Sequence, residues 1–104
     1  MAQVAFKMQL KPGFEAEYKR RHDAIWPQLQ QLLSSKGISQ YYIFLEEQNG
    51  TLFGTLTIAN TALLDTLPAE PVMQQWWAYM ADIMETHDDN SPVSIPLKQV
   101  FYMP

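Results

Sequence analysis

The most chemically suggestive stretch of this sequence runs from Tyr18 to Pro27 and contains one of the two histidines of the chain. Residues three or four apart on a helix lie on one face, and here that face carries Phe14, Tyr18, Ile25, Leu29 and Leu32. His22 lies within the same apolar arc, one turn after Tyr18. Because the pKa of an imidazole is near neutrality, a histidine held there can transfer protons. The alternative is a core histidine satisfied by a neighbouring carbonyl, and the pattern alone favours that alternative.

Two adjacent tryptophans, Trp76 and Trp77, form a second candidate. Neighbouring residues on an α-helix point about 100° apart, so the two indoles cannot both pack into one core. We expect one to be buried and the other to face a pocket or an interface, where its N–H needs a partner.

A polar loop holds the second histidine, His87, followed by Asp88, Asp89, Asn90 and Ser91. The acidic surroundings of His87 favour a solvated loop residue. Asp89 and Asn90 offer groups that could bind sugar hydroxyls, but both residues are also common turn formers, and the pattern alone favours a turn.

Composition excludes several classes of protein. The chain of 104 residues is 47% hydrophobic and 17% charged, which predicts a single domain over 1–104 with a substantial core. A net charge of −4 argues against a nucleic-acid partner. The absence of cysteine excludes disulfides and thiolate chemistry. No metal-ligand spacing, glycine-rich phosphate loop or serine-nucleophile motif is present, so no cofactor is expected.

The chain is expected to be cytoplasmic. Its first residues do not show a cationic segment followed by a long apolar run, as a secretory signal would. No apolar segment is long enough to span a bilayer, so no membrane association is predicted.

The elements that must position these side chains can be predicted from periodicity and turn residues. Strands are predicted at 4–10, 39–46, 51–58 and 98–103, with Asn49-Gly50 as a hairpin turn. One helix is predicted over 14–36, kinked or broken at Pro27, and another over 71–84. Gly54 marks a bulge or a close approach within its strand. Residues 60–70 are predicted to form one or two helical turns before Pro68 interrupts them.

The order strand, helix, strand, strand, helix, strand predicts an α+β, ferredoxin-like antiparallel sheet with both helices on one face. The strand over 39–46 is apolar on both sides, since Tyr41 and Ile43 alternate with Tyr42 and Phe44. The second face of the sheet would then be exposed and apolar. A homodimer packed sheet to sheet, as in a dimeric α+β barrel, is the simplest way to cover it.

Four motifs give the sequence a family resemblance. They are RHDAIWP at 21–27, WWAYM at 76–80, DNSPVS at 89–94 and VFYMP at 100–104. Together and in this order they resemble the L-rhamnose mutarotase family essentially from end to end, with 60–73 the least distinctive part. That family consists of small dimeric ferredoxin-like proteins, in agreement with the predicted fold.

The resemblance implies an isomerase that interconverts the α and β anomers of L-rhamnose without a cofactor. It implies that His22 is the proton donor and that Tyr18, Tyr41, Trp76 and Trp77 bind the substrate. All five residue types are present at the matching positions. The complementary base stays open between a bound water and the Tyr18 hydroxyl.

Two other functions are compatible with the same architecture, because fold alone does not determine function. One is a cofactor-free or haem-binding monooxygenase, which would also use a histidine and an aromatic pocket. The other is a dimeric protein that binds a small ligand without catalysis. Haem-loaded protein would support the former, and sugar binding without anomer exchange the latter.

Overall fold

The computed structural model describes all 104 residues as a four-stranded antiparallel sheet with helices packed on one face. The elements in chain order are β1 (Ala2–Gln9), α1 (Glu15–Asp23), α2 (Pro27–Ser35), β2 (Ile38–Glu46), β3 (Thr51–Ile58), a 3-10 helical segment (Thr61–Ala69), α3 (Pro71–Met80) and β4 (Ser94–Leu97). The strands lie in the order β2-β3-β1-β4, and each neighbouring pair is antiparallel. The predicted ferredoxin-like α+β fold is confirmed.

The predicted interruption at Pro27 is a complete break between α1 and α2. Trp26 has an extended backbone (φ −64°, ψ 130°), because the ring of a following proline disfavours the helical region. Pro27 then occupies the first turn of α2, where its missing N–H costs nothing. The break lets α1 and α2 point in different directions, and it lies directly after the segment that carries His22.

The last strand was predicted in the wrong place. It lies at Ser94–Leu97 and pairs with β1, with Phe6 opposite Pro96, whereas residues 98–104 have no regular secondary structure. The apolar residues within 98–103 favoured a strand there, whereas the pairing with β1 that defines β4 cannot be read from local sequence. An edge strand tolerates proline, because one of its two rows of backbone groups is unpaired.

The second long helix is also shorter than predicted. α3 ends at Met80, and the chain then turns so that Ile83 and Met84 are buried. Lys11 donates its backbone N–H to the carbonyl of Ile83, and Leu10 forms a bridge with Met84. These bonds to the end of β1 pull residues 81–84 out of the helix.

The core lies between the helices and one face of the sheet, which we call the inner face. Its most buried side chains are Leu10, Leu29, Leu52, Ile58 and Ile83. The opposite, outer face is exposed, although it carries Tyr42, Phe44, Phe53, Ile95 and Leu97. None of the helices has the length and apolar composition needed to cross a lipid bilayer.

Candidate active site

A cleft of about 1280 Å³ opens between the helices and the inner face of the sheet. All five residues singled out from the sequence line it, namely Tyr18, His22, Tyr41, Trp76 and Trp77. α1 contributes the first two, β2 the third and α3 the tryptophans. The fold therefore brings together side chains that are up to 59 positions apart in the sequence, from Tyr18 to Trp77.

The His22 ring is held between two aromatic groups. It stacks on the Tyr18 ring at a centroid distance of 4.2 Å and an interplanar angle of 27°. It meets the Trp76 ring edge to face at 5.4 Å. Its Nδ1 lies 3.1 Å from the backbone carbonyl of Tyr18. Because a carbonyl only accepts, this bond assigns the proton to Nδ1 and leaves Nε2 as the nitrogen available to a ligand.

The hydrogen bond from His22 to the Tyr18 carbonyl is the one expected of a structural histidine, yet the same ring lines the cleft. The two interpretations of the sequence pattern are therefore compatible. A histidine fixed through one nitrogen presents the other in a defined direction, which a proton-transfer group requires.

Burial controls the protonation of the three titratable rings. It lowers the pKa of His22, an effect that the Tyr18 carbonyl and the charge of Asp23 partly oppose. It raises the pKa of Tyr18, and nearby Tyr41 raises it further. Although part of the Tyr41 ring is exposed, burial around its hydroxyl raises its pKa to about 12. Both phenols therefore keep their protons at neutral pH, and the histidine is the group that titrates nearest to it.

Arg21, the residue before His22, joins α1 to the end of α3. Its guanidinium donates to the Tyr79 carbonyl at 2.8 Å, to Asp82 at 2.8 and 3.2 Å and to Glu17 at 2.6 Å. It also lies over the Tyr79 ring, 4.5 Å from the centroid. The bonds from Arg20 and Arg21 lower the pKa of Glu17 to about 2, and the bond from Arg21 lowers the pKa of Asp82. The helix that carries His22 is thus anchored to the helix that carries Trp76.

An aromatic cluster behind the cleft explains why Trp76 is buried and Trp77 is not. Trp26 stacks on Tyr79 at 5.5 Å and meets Trp76 edge to face at 5.1 Å. Trp76 is only 5% exposed, whereas Trp77 is half-buried at the cleft. The expectation of one buried indole and one facing a pocket is met, although the buried indole also lines the cleft.

A bulge in β2 lies directly before Tyr41. Ser39 pairs with Thr57 and Tyr42 with Thr55, so Gln40 and Tyr41 together lie opposite the single residue Leu56. Gln40 adopts a left-handed backbone (φ 48°). From Tyr42 onward the register with β3 is regular, and alternation with Ile43 places Tyr41 on the inner face. The extra residue instead brings Ile38, on the other side of the bulge, onto the inner face opposite Ile58.

Asp89 and Asn90 do not line the cleft, whereas His87 and Ser91 in the same loop do. The Asp89 carboxylate accepts bonds from the backbone N–H and the hydroxyl of Ser91, which lower its pKa. The loop is therefore a turn stabilised by Asp89. His87 is exposed, as expected of a solvated residue, and lies at the rim. No three histidine, aspartate or glutamate side chains are grouped to hold a metal ion.

Sequence reasoning missed three residues that support the site: Arg21, Trp26 and Phe6. The first two flank His22 in the motif RHDAIWP, which was the only available signal. Nothing in the spacing showed that Arg21 would meet Tyr79 and Asp82, 58 and 61 positions away. The proximity of Phe6 to Tyr41 depends on the pairing of both strands with β3, which strand periodicity alone does not reveal.

Comparison with known proteins links this arrangement to one family. The family model of L-rhamnose mutarotase matches residues 3–103. The chain is 57% identical to an L-rhamnose mutarotase of Jannaschia sp. over 104 residues, which cover both proteins completely. It is 58% identical to an L-rhamnose mutarotase of Brucella anthropi over 100 residues, or 96% of this chain and 94% of the relative.

Two solved structures show the same fold at different degrees of similarity. The crystal structure of an L-rhamnose mutarotase from Formosa agariphila superimposes with a TM-score of 0.93 at 45% identity, and covers all of both chains. The crystal structure of an antibiotic biosynthesis monooxygenase superimposes with a TM-score of 0.52 at 14% identity, covering 96% of this chain and 99% of the other. The second similarity is one of fold alone.

Proposed function

This chain belongs to the L-rhamnose mutarotase family, and we propose that it interconverts the α and β anomers of L-rhamnose with His22 as the proton-transfer group. An enzyme of this family is an isomerase. The observation that carries the assignment of His22 is its geometry: the ring lines the cleft, and the carbonyl of Tyr18 occupies Nδ1 and leaves Nε2 for the substrate.

The proposed reaction needs only proton transfers. The imidazolium form of His22 donates its Nε2 proton to the ring oxygen of the sugar while a base removes the proton of the anomeric hydroxyl. The bond between the anomeric carbon and the ring oxygen breaks, and the open-chain aldehyde forms. After rotation of the aldehyde, the transfers reverse and the ring closes on the other face. General acid–base catalysis of this kind contributes about 10²–10⁴-fold, which suffices for a reaction that already proceeds in water.

The base is more consistent with a bound water than with Tyr18. Burial and Tyr41 raise the pKa of Tyr18, so its phenolate is scarcely populated at neutral pH. A neutral Tyr18 can still donate a hydrogen bond to the sugar. In this proposal Tyr18 orients the substrate, and its ring supports His22 by stacking.

The aromatic lining suits a 6-deoxy sugar. The face of an indole packs against the C–H groups of a pyranose, and an apolar pocket accommodates the methyl group of L-rhamnose. We assign the main packing surface to Trp77, because Trp76 is largely enclosed by Trp26, Tyr79 and His22. Tyr41 closes the opposite side of the cleft from β2.

The monooxygenase alternative is not favoured. The similarity to an antibiotic biosynthesis monooxygenase is 14% in sequence and shows a shared fold, whereas the mutarotase relatives are 57–58% identical over nearly the whole chain. Direct measurement of anomer exchange distinguishes an enzyme from a protein that only binds the sugar, because the latter would not accelerate the exchange.

The decisive test of the catalytic assignment is the variant His22→Gln. An amide can hydrogen-bond the ring oxygen but cannot transfer a proton near neutral pH. We expect the catalysed exchange of L-rhamnose anomers, measured by saturation-transfer NMR, to fall by about 10²–10⁴-fold. Binding, measured by tryptophan fluorescence, should be retained.

The matched control is His87→Gln, which replaces the exposed histidine and should exchange anomers at the parental rate. Circular dichroism checks that both variants are folded. A folded His22→Gln variant with the parental rate would return His22 to a purely structural role.

The pH dependence tests whether His22 begins the cycle as an acid. Burial lowers its pKa, so the donating imidazolium is lost as pH rises through a value below that of an ordinary histidine. We expect the catalysed exchange to decrease about tenfold per pH unit above that point. A rate that instead falls toward low pH would assign His22 the role of base.

We also propose a homodimer that covers the outer face of the sheet. Tyr42 and Phe44 are 56% and 60% exposed in the single chain and stack on one another at 6.1 Å. The terminal residues Val100 to Met103 are 72–88% exposed and add further apolar surface to the single chain. Such a surface is unusual for a monomer. Sedimentation at micromolar concentration should show a dimer, and a fully active monomer would contradict the proposal.

We also propose that the protein is cytoplasmic. The distribution of a fluorescent fusion would test it.

A further inference from the structure

Gly54 lies in the middle of the central strand β3, where glycine is normally unfavourable. It pairs with Phe6 of β1 on one side and with Ile43 of β2 on the other. Glycine in a strand interior is destabilising relative to alanine, because it loses more chain entropy and offers no side chain to pack. The backbone does not require it, because Gly13, Gly37 and Gly50 have positive φ and Gly54 does not. The missing side chain must therefore serve the packing.

The space above Gly54 is filled by the ring of Phe6. A Cβ atom at position 54 would lie 2.5 Å from Cζ and 2.6 Å from Cε2 of that ring, closer than real atoms approach. Phe6 can occupy this place on the inner face only while residue 54 has no side chain.

The same phenylalanine supports Tyr41. The two rings meet edge to face, with centroids 6.2 Å apart and planes at 82°. On its own strand Tyr41 shares the inner face with Ile43, which pairs with Gly54. The strand register thus sets the direction of the Tyr41 side chain, and the ring that covers Gly54 supports one side of it.

We propose that Gly54 is a positioning residue for sugar binding, which acts through Phe6 to fix the Tyr41 ring at the cleft. This inference rests on the proposed function, since it assumes that Tyr41 contacts the sugar. Gly54 does not line the cleft, whereas Phe6 does, so the state of the Tyr41 ring has to be read directly as well as through KM. Added volume at position 54 should displace Phe6, release Tyr41 and weaken binding, while the proton transfer at His22 on the helices continues.

The test is a double-variant cycle of Gly54→Ala and Phe6→Leu, read by the concentration dependence of catalysed anomer exchange. We expect Gly54→Ala to raise KM about 2–10-fold, the range for loss of one aromatic contact, with kcat within about twofold. Phe6→Leu should have a similar effect. Because both act on the same ring, Gly54→Ala should have no further effect in the Phe6→Leu background. Additive effects would show that Gly54 does not act through Phe6.

A second readout does not depend on activity. With labelled tyrosine, the ring resonances of Tyr41, assigned through Tyr41→Phe, should shift in Gly54→Ala while those of Tyr42 on the outer face stay in place. Unchanged Tyr41 resonances overturn the inference, and so does a displaced Tyr41 ring with a parental KM. If the parent protein itself fails to exchange anomers, the proposed function fails, and the resonances still show whether Gly54 positions Tyr41.

The control is Gly13→Ala. It adds the same atom at a position where nothing lies within 4 Å, but where the positive φ (88°) strains an alanine. It should lower stability without changing KM. If Gly54→Ala does not fold, folding restored by adding Phe6→Leu supports the inference, and a double variant that stays unfolded contradicts it.

Discussion

The two sides of the cleft are held in place by different kinds of interaction. The helix wall, formed by Tyr18, His22 and Trp76, is fixed by side chains: stacked rings and the bonds of Arg21 to α3. The sheet wall, formed by Phe6 and Tyr41 above Gly54, is fixed by the backbone: the register of β2 on β3 and a residue without a side chain. The helix wall carries the titrating group, and the sheet wall carries none near neutrality.

The difference shows how each wall can be disturbed. Proton transfer depends on small displacements, so the group that performs it benefits from many simultaneous contacts. Removing side chains should therefore damage the helix wall. The sheet wall depends on conformation and empty space, so it should respond to added atoms or to relief of strain.

The largest effect on stability is expected from Trp76→Ala, compared with Trp77→Ala. Trp76 is buried and contacts three other rings, so its truncation should reduce the free energy of unfolding by about 3–5 kcal/mol. Trp77 is half-buried, and Trp77→Ala should cost about 1 kcal/mol. Urea unfolding followed by circular dichroism measures both.

For sugar binding, Trp77→Ala should have a larger effect than Trp76→Ala, provided that both variants are folded. Trp77→Ala should weaken L-rhamnose binding by roughly 1–3 kcal/mol and reduce the fluorescence change on titration with sugar. If Trp77→Ala binds like the parent, Trp77 is not the packing surface, and the distinction between a structural and a binding indole is wrong.

A smaller loss is expected from Arg21→Met, which keeps the aliphatic stem but removes the bonds to α3. Asp82 is 65% exposed and can return to water, so the cost should be about 2 kcal/mol rather than the 3–5 of a fully buried pair. Arg20→Met is the control, because Arg20 also binds Glu17 but is 63% exposed; its effect on the free energy of unfolding should be smaller than that of Arg21→Met.

The effect of Arg21→Met should also depend on pH in a defined direction. Arg20 first and Arg21 second lower the folded-state pKa of Glu17 from its ordinary 4.5 to about 2, so the part of this stabilisation that comes from Arg21 is present above pH 4.5 and lost as pH falls toward 2. The difference in unfolding free energy between parent and Arg21→Met should shrink over that interval. A constant difference would show that Arg21 acts through the Tyr79 carbonyl and ring rather than through the carboxylates.

Local features of this molecule could be predicted from the sequence, whereas its long-range contacts could not. The fold followed from strand periodicity, Asn49-Gly50 and Pro27, because those signals are local. The apolar arc through Tyr18 and the tryptophan pair indicated the cleft residues, although the resemblance supplied their roles. β4 was misplaced because its pairing with β1 overrides the local effect of Pro96. The contacts of Arg21 and the bulge are long-range and leave no periodic trace.

The smallest effect is expected on the sheet wall, from Gln40→Gly. The left-handed backbone of Gln40 costs a residue with a Cβ about 1–2 kcal/mol, and replacing it by glycine removes that cost. Glycine also loses more entropy on folding, which offsets about 0.5–1 kcal/mol of the gain. The variant should therefore be more stable by up to about 1 kcal/mol, measured by urea unfolding.

Anomer exchange should change less than twofold, since the pairing of β2 with β3 from Tyr42 onward holds Tyr41 at the cleft. Asn90→Gly is the matched control, because Asn90 has the other positive φ among non-glycine residues (69°) and asparagine tolerates it better. Its gain should be smaller. If Gln40→Gly is no more stable than the parent, the left-handed backbone of Gln40 stores no strain.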